Sequence, residues 1–125
     1  MKTIALAATL FLLPGCVLVA GAAVGAGIVY AAGEDTAEVR VDVNAAAAFA
    51  ASREEVILRG KIDSADEAAG VIEARIGTST VKVTVVEEGD GAHSRVTVRA
   101  RTTAGLAPDM ETARILTVAV VKRTR

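Results

Sequence analysis

A chain of 125 residues with a formal net charge of −1 offers nucleic acid no electrostatic foothold, and its single cysteine excludes an internal disulfide. The 52% apolar content includes no Trp, one Tyr and two Phe, so the core must be aliphatic and rest on packing. The length leaves room for one domain of about 90 residues behind an apolar N-terminal stretch.

The chain opens with a lone Lys2, an uncharged run rich in Leu, Ile and Ala from Thr3 to Leu13, and then Leu13-Pro14-Gly15-Cys16; no further charge occurs before Glu34. A cationic start, a short apolar segment and small residues at a cut make a secretory signal peptide. With Leu13, Gly15 and Cys16 in place, the stretch resembles the signal of bacterial lipoproteins, which are cleaved before a cysteine bearing a diacylglycerol thioether. The resemblance implies a signal peptide over residues 1–15, lipidation with palmitate at Cys16 and attachment to a membrane of the cell envelope. Val17 is not the Asp that commonly retains such proteins at an inner membrane, so the resemblance implies an outer membrane, facing the periplasm, where the source has two. The alternatives are a plain cleaved signal and a transmembrane signal anchor, the latter because Ile4 to Ala32 exceeds the roughly 20 apolar residues a span needs. Pro14-Gly15 falls inside that run, where a helix kinks or breaks.

Residues 16–33 read as the lipidated cysteine and an apolar, Gly/Ala-rich tether at the membrane interface. Gly21-x-x-x-Gly25 within it would let helix backbones approach closely in lipid. Residues 34–125 form the domain. Val39, Val41 and Val43 alternate with Glu38, Arg40 and Asp42, which predicts a strand buried on one face. Asn44 suits a helix N-cap, Ala45 to Arg59 a helix anchored by Phe49, and Gly60 its stop. Lys61 to Asp63 begins a second strand, followed by a polar loop from Asp63 to Glu67.

Three strands follow, carrying Ile72, Ala74 and Ile76; Val81, Val83 and Val85; and Val96, Val98 and Ala100. A two-residue type I′ turn at Asp90-Gly91 pairs Val85 with Val96 and Val83 with Val98. A II′ turn at Gly77-Thr78 pairs Ala74 with Val81. The tail is ambiguous from its residues: Pro108, Asp109 and Glu111 at one end and Lys122, Arg123 and Arg125 at the other suit a helix. Ile115 to Val121, in contrast, has the composition of a strand.

The mature chain resembles a family of small bacterial lipoproteins of unknown function. Leu13 to Cys16, Tyr30-Ala31-Ala32-Gly33-Glu34, Gly70-Val71-Ile72-Glu73-Ala74 and Ala113-Arg114-Ile115-Leu116 carry that resemblance, which implies a helix from Pro108 to Lys122. The expected fold is α+β with two layers: a curved antiparallel sheet with two helices on one face, in the order β-α-β4-α.

No combination of residues calls for a cofactor. His93, the only histidine, stands near Glu87 and Glu88 beside a turn, a solvated hairpin tip rather than a metal site. No Ser or Thr has a histidine partner, so the expectation is a protein that is not an enzyme. On the sheet face turned away from the core, the alternation collects Arg40, Arg75, Lys82, Arg95, Arg99 and Arg101 against Glu38, Asp42 and Glu73. The register sets Lys82 opposite Glu73 on one side and Arg99 on the other, so Glu73 should draw Lys82 and leave Arg99 free beside Arg101. Arg75, Lys82, Arg95, Arg99 and Arg101 thus form a candidate face for an acidic protein or an anionic envelope component. The chain is expected to be a membrane-anchored, non-catalytic structural or interaction module. The alternative is a small carrier of a lipid or apolar ligand between helices and sheet.

Overall fold

The computed structural model describes residues 29–104 and 106–125. The expected signal peptide, Cys16 and most of the tether lie outside the described residues. Six strands, β1 (Tyr30–Ala31), β2 (Thr36–Val41), β3 (Lys61–Asp66), β4 (Val71–Ile76), β5 (Ser79–Glu88) and β6 (His93–Thr102), form one antiparallel sheet in the order β1-β2-β6-β5-β4-β3. Helix α1 (Ala45–Arg59) follows β2, and α2 (Met110–Arg123) ends the chain. The fold is the expected α+β sandwich, with α1 and α2 packed on the sheet and on each other.

Both helices start on a side-chain cap. Asn44 Oδ1 accepts from the Ala47 N–H at 2.9 Å, and Gly60 N–H closes α1 on the Val56 carbonyl at 2.8 Å. Asp109 does the same for α2, accepting from the Thr112 N–H at 3.1 Å while the Ser79 hydroxyl donates to its other oxygen. Inside α2, Ala113, Leu116, Thr117, Val120 and Val121 are buried at helical spacing. A β-branched residue costs a helix less than about 0.7 kcal/mol, whereas burying a Val or Leu side chain contributes about 1.5–3 kcal/mol. The buried stripe therefore outweighs the local strand preference. The buried Thr117 hydroxyl donates back to the Ala113 and Arg114 carbonyls and leaves no unmet polar group.

The core is aliphatic: Val39, Val41, Ile72, Val83, Val96 and Val98 from the sheet meet Phe49, Val56, Leu116 and Val120 from the helices. The pairings Ala74↔Val81, Val83↔Val98 and Val85↔Val96 are those set by side-chain parity. Gly77, at φ +61, takes the first central position of its turn, as a II′ geometry needs.

Four local features differ from the sequence reading. Val29 is buried, and Tyr30 and Ala31, read as part of the tether, pair with Glu38 and Ala37. The segment Asp63–Asp66, read as a loop, belongs to edge strand β3, which bulges between Ile62 and Ser64. This strand is exposed along nearly its whole length, and without a buried face it has no alternation to reveal it. The β5–β6 loop holds four residues, closed by Gly91 N–H on the Glu88 carbonyl at 2.7 Å. Asp90 keeps a negative φ, so the type I′ turn does not form although its register does. Finally, Pro108 precedes the α2 cap and bridges to Arg101.

Candidate interaction surface

The ladders bring the predicted basic residues together in rows on the uncovered sheet face. One row runs Thr36, Arg99, Lys82, Glu73 and Ser64 across β2, β6, β5, β4 and β3. The next runs Arg101, Thr80, Arg75 and Lys61. Further along, Arg40 lies directly opposite Arg95.

Carboxylates thread through these rows more fully than the strand alternation suggests. Glu88 stands 3.3 Å from Arg40 and 3.8 Å from Arg95, while Glu38 stands 3.6 Å from Arg95, so the facing arginines share anions. Arg75 makes a two-pronged contact with Asp63, Nε donating at 3.2 Å and Nη2 at 2.9 Å. Asp63 is the extra residue of the β3 bulge, and the bulge is what frees its carboxylate to meet Arg75. That contact holds the Asp63 carboxyl below its ordinary range.

The expectation that Arg99 stands free is corrected. Asp35, in the β1–β2 turn, accepts from Arg99 Nε at 2.9 Å and Arg101 Nε at 2.7 Å through one oxygen, and from the Thr36 hydroxyl at 2.7 Å through the other. These three hydrogen bonds, Thr36 first, hold its carboxyl far below the usual carboxylate range. The Ala100 N–H donates to the Asp35 carbonyl at 2.8 Å, which fixes Asp35 between the two arginines. Arg101 also donates through Nη1 to the Leu106 carbonyl at 2.9 Å, tying down a loop in which Leu106 takes φ 52. Nor does Glu73 capture Lys82: among the described residues, Lys82 has no carboxylate within ion-pair distance.

Lys82, Arg99, Arg101, Thr80, Glu73 and Asp63 line a shallow depression of about 280 Å³. Two guanidinium groups on one carboxylate leave a positive excess, and among the described residues Arg99 is engaged through Nε alone, which leaves its terminal nitrogens as donors. The arrangement can hold a planar anion, because the Asp35 contacts fix both arginines in advance. Asp35 escaped the sequence reading because its role depends on β2 lying beside β6, which brings it to Arg99 and Arg101, 64 and 66 positions away in sequence.

His93 is not brought together with Glu87 and Glu88 as a ligand set. Its Nε2 lies 3.4 Å from Asp42 and its Nδ1 3.3 Å from Asp90. Glu88 turns to the arginines, and Glu87 accepts from the Ala45 N–H at 3.4 Å, at the start of α1. Among the described residues no group of three or more His, Cys, Asp or Glu side chains could hold a metal ion. An open cleft of about 420 Å³ flanks the first turn of α1, between Ala45, Ala46, Phe49, Ala69 and Val85. Among the described residues no helix is long and apolar enough to cross a membrane.

Fold and surface together define a small α+β domain with one helix-covered sheet face and one open, charge-laced face. The chain belongs to the protein family DUF3568, described as a protein of unknown function, whose profile matches residues 1–119. A comparison with curated proteins finds no match.

Proposed function

We propose that the chain is a lipoprotein of the bacterial envelope, anchored through acylated Cys16, and that its domain is a non-catalytic interaction module. The open sheet face docks an acidic partner at Lys82, Arg99 and Arg101, with Arg75 and Arg95 flanking. The observation that carries this reading is the Asp35 clamp: two arginines are preset beside an unpaired lysine around a depression floored by Thr80. A group that meets preset donors gives up less freedom on binding. The non-catalytic reading is supported by the placement of His93, which is held between two aspartates at a hairpin tip.

Two measurements test this. Cys16→Ser should abolish labelling by palmitate and leave an uncleaved precursor; undiminished acyl labelling rejects the anchor. A photo-crosslinking residue at Thr80 in cells should yield a discrete product that disappears with Lys82→Glu and Arg99→Glu. An unchanged set of products rejects the docking face. The cleft beside Phe49 favours a second reading, a carrier of a small apolar ligand, which predicts co-purifying lipid that is lost with Ala46→Trp.

A further inference from the structure

The outer surface of the helix layer has a character opposite to that of the sheet face. Along α2, Ile115 and Lys122 are exposed on the side turned away from the buried stripe, and Val118 and Ala119 are half-buried at its flanks, Val118 against the core. With Arg59 from α1 and Arg114 they line a groove of about 280 Å³. Ile115 is 49% exposed, and Leu58, beside Arg59, is 67% exposed. A soluble helix normally keeps its aliphatic residues off this side.

Charge favours one occupant for this groove. The segments 45–59 and 110–125 carry Arg53, Arg59, Arg114, Lys122, Arg123 and Arg125 against Glu54, Glu55 and Glu111, although the whole chain is at −1. Glu55 is used inside the layer, shared between Arg59 and Arg123. Among the described residues Arg114 and Lys122 have no carboxylate within ion-pair distance. Aliphatic side chains rimmed by cations match the boundary of an anionic bilayer, where the apolar groups enter and the cations meet headgroups.

Position in the fold points the same way. Helix α2 packs over β2 and β6, and β1 pairs with β2, so the described chain begins on the side of the sheet that α2 covers. Residues 17–28 separate Cys16 from Val29 and reach about 40 Å at most when fully extended. A domain of this size is itself about 30 Å across. An anchor at Cys16 therefore keeps the domain within roughly one diameter of the bilayer.

We propose that the outer face of α2, with Ile115, Val118 and Ala119 as its apolar floor and Arg59, Arg114 and Lys122 as its rim, rests on an anionic lipid surface. The inference rests on the anchored reading above and adds an orientation: helices toward the membrane, open sheet face away from it.

The test uses the full-length acylated protein in vesicles, with the Cys16 thiol blocked by its thioether. A bimane is placed at Ala119→Cys or, as the opposite-face control, at Thr84→Cys, and the vesicles carry nitroxide-labelled lipid. In phosphatidylglycerol/phosphatidylcholine vesicles, quenching should be strong at position 119 and weak at 84. In phosphatidylcholine alone the difference should shrink. Each basic group beside an anionic surface changes the facing equilibrium about fivefold, so Arg114→Glu with Lys122→Glu should lower it by about 25-fold or more. Equal quenching at both positions, or quenching at 119 that ignores lipid charge and the double substitution, overturns the proposal. So does protection of position 119 that rises with protein concentration, which marks a second copy in the groove. Palmitate labelling is scored separately, so an acylated protein that shows no preference at 119 refutes the orientation and leaves the anchor standing.

Discussion

Replacing Asp35 by alanine removes the acceptor shared by Thr36, Arg99 and Arg101. The Asp35 side chain is 13% exposed, but Arg99 and Arg101 are 58% and 35% exposed, so each ion pair is screened by water. Such pairs contribute about 0.2–1 kcal/mol each. The Thr36 hydrogen bond adds about 0.5–1.5 kcal/mol. The substitution also leaves Lys82 and Arg99 as a directly opposed like-charge pair without the nearby anion. The expected loss is about 1–3 kcal/mol at pH 7, read as a lower midpoint in urea. Asp35→Asn, which retains an acceptor oxygen, should lose less.

The pH dependence separates this account from a simple packing defect. The Asp35 carboxyl is held below its ordinary value in the folded chain, so its stabilising effect is complete above the unfolded carboxylate pKa of about 3.9. It is lost as the pH falls through the lower folded value. Parent and variant should therefore differ by a constant amount from pH 7 to about pH 4 and converge as the pH drops below that. Asp63, Asp90 and Asp109 are also depressed, but they titrate in both proteins and cancel in the difference. A variant as stable as the parent at pH 7, or a gap that persists undiminished to pH 2, would falsify the clamp.

Leu116→Ala, at a fully buried position of α2, should cost about 2–5 kcal/mol in equilibrium unfolding; a loss below 1 kcal/mol would mean that the helix–sheet core closes over the gap. Gly70→Ala should destabilise by about 1–3 kcal/mol, because Gly70 sits at φ +72 and a Cβ there would come within 2.4 Å of the Val85 carbonyl oxygen. Asp109→Ala should cost about 1–2 kcal/mol as the α2 cap is lost, visible as faster amide exchange at Thr112; unchanged protection there contradicts the capping role.

What could be read from the sequence divides along the range of the interactions. The registers of β4, β5 and β6 were legible because short turns and side-chain parity set them locally, and the parity holds even where the β5–β6 turn takes another shape. The ends of α1 were legible because Asn44 and Gly60 act within one turn of themselves, whereas the start of α2 was read at Pro108, since Asp109 was taken as a charge in the first turn rather than as its cap. The position of β2 was not. Nothing near Thr36 says that it pairs with Arg99, and the role of Asp35 follows only from that pairing. Tyr30-Ala31 was hidden for a different reason: a two-residue strand inside an apolar tract has no alternation of its own. The basic face was placed correctly as a set of positions, yet its surplus charge was overestimated. Alternation counts only residues on the strands, while Asp35 and Asp63 reach the face from a turn and a bulge.

That correction changes where the positive charge of the domain is available. On the sheet face, Arg40, Arg75, Arg95, Arg99 and Arg101 all stand within ion-pair distance of carboxylates, which among the described residues leaves Lys82, Lys61 at the edge and the outer nitrogens of Arg99 for a partner. A contact there is narrow and depends on geometry, as suits selection of one acidic group among many. On the helix layer, Arg114 and Lys122 have no carboxylate partner among the described residues and flank the exposed Ile115. A contact there is broad and depends mainly on charge density, as suits a bilayer. Raised salt should therefore weaken the proposed membrane-facing orientation of α2 more than the proposed contact read by the crosslink from Thr80, since the Debye length falls to about 3 Å at 1 M. If both contacts decline in parallel as salt rises, the two faces share one kind of partner and the division of roles fails.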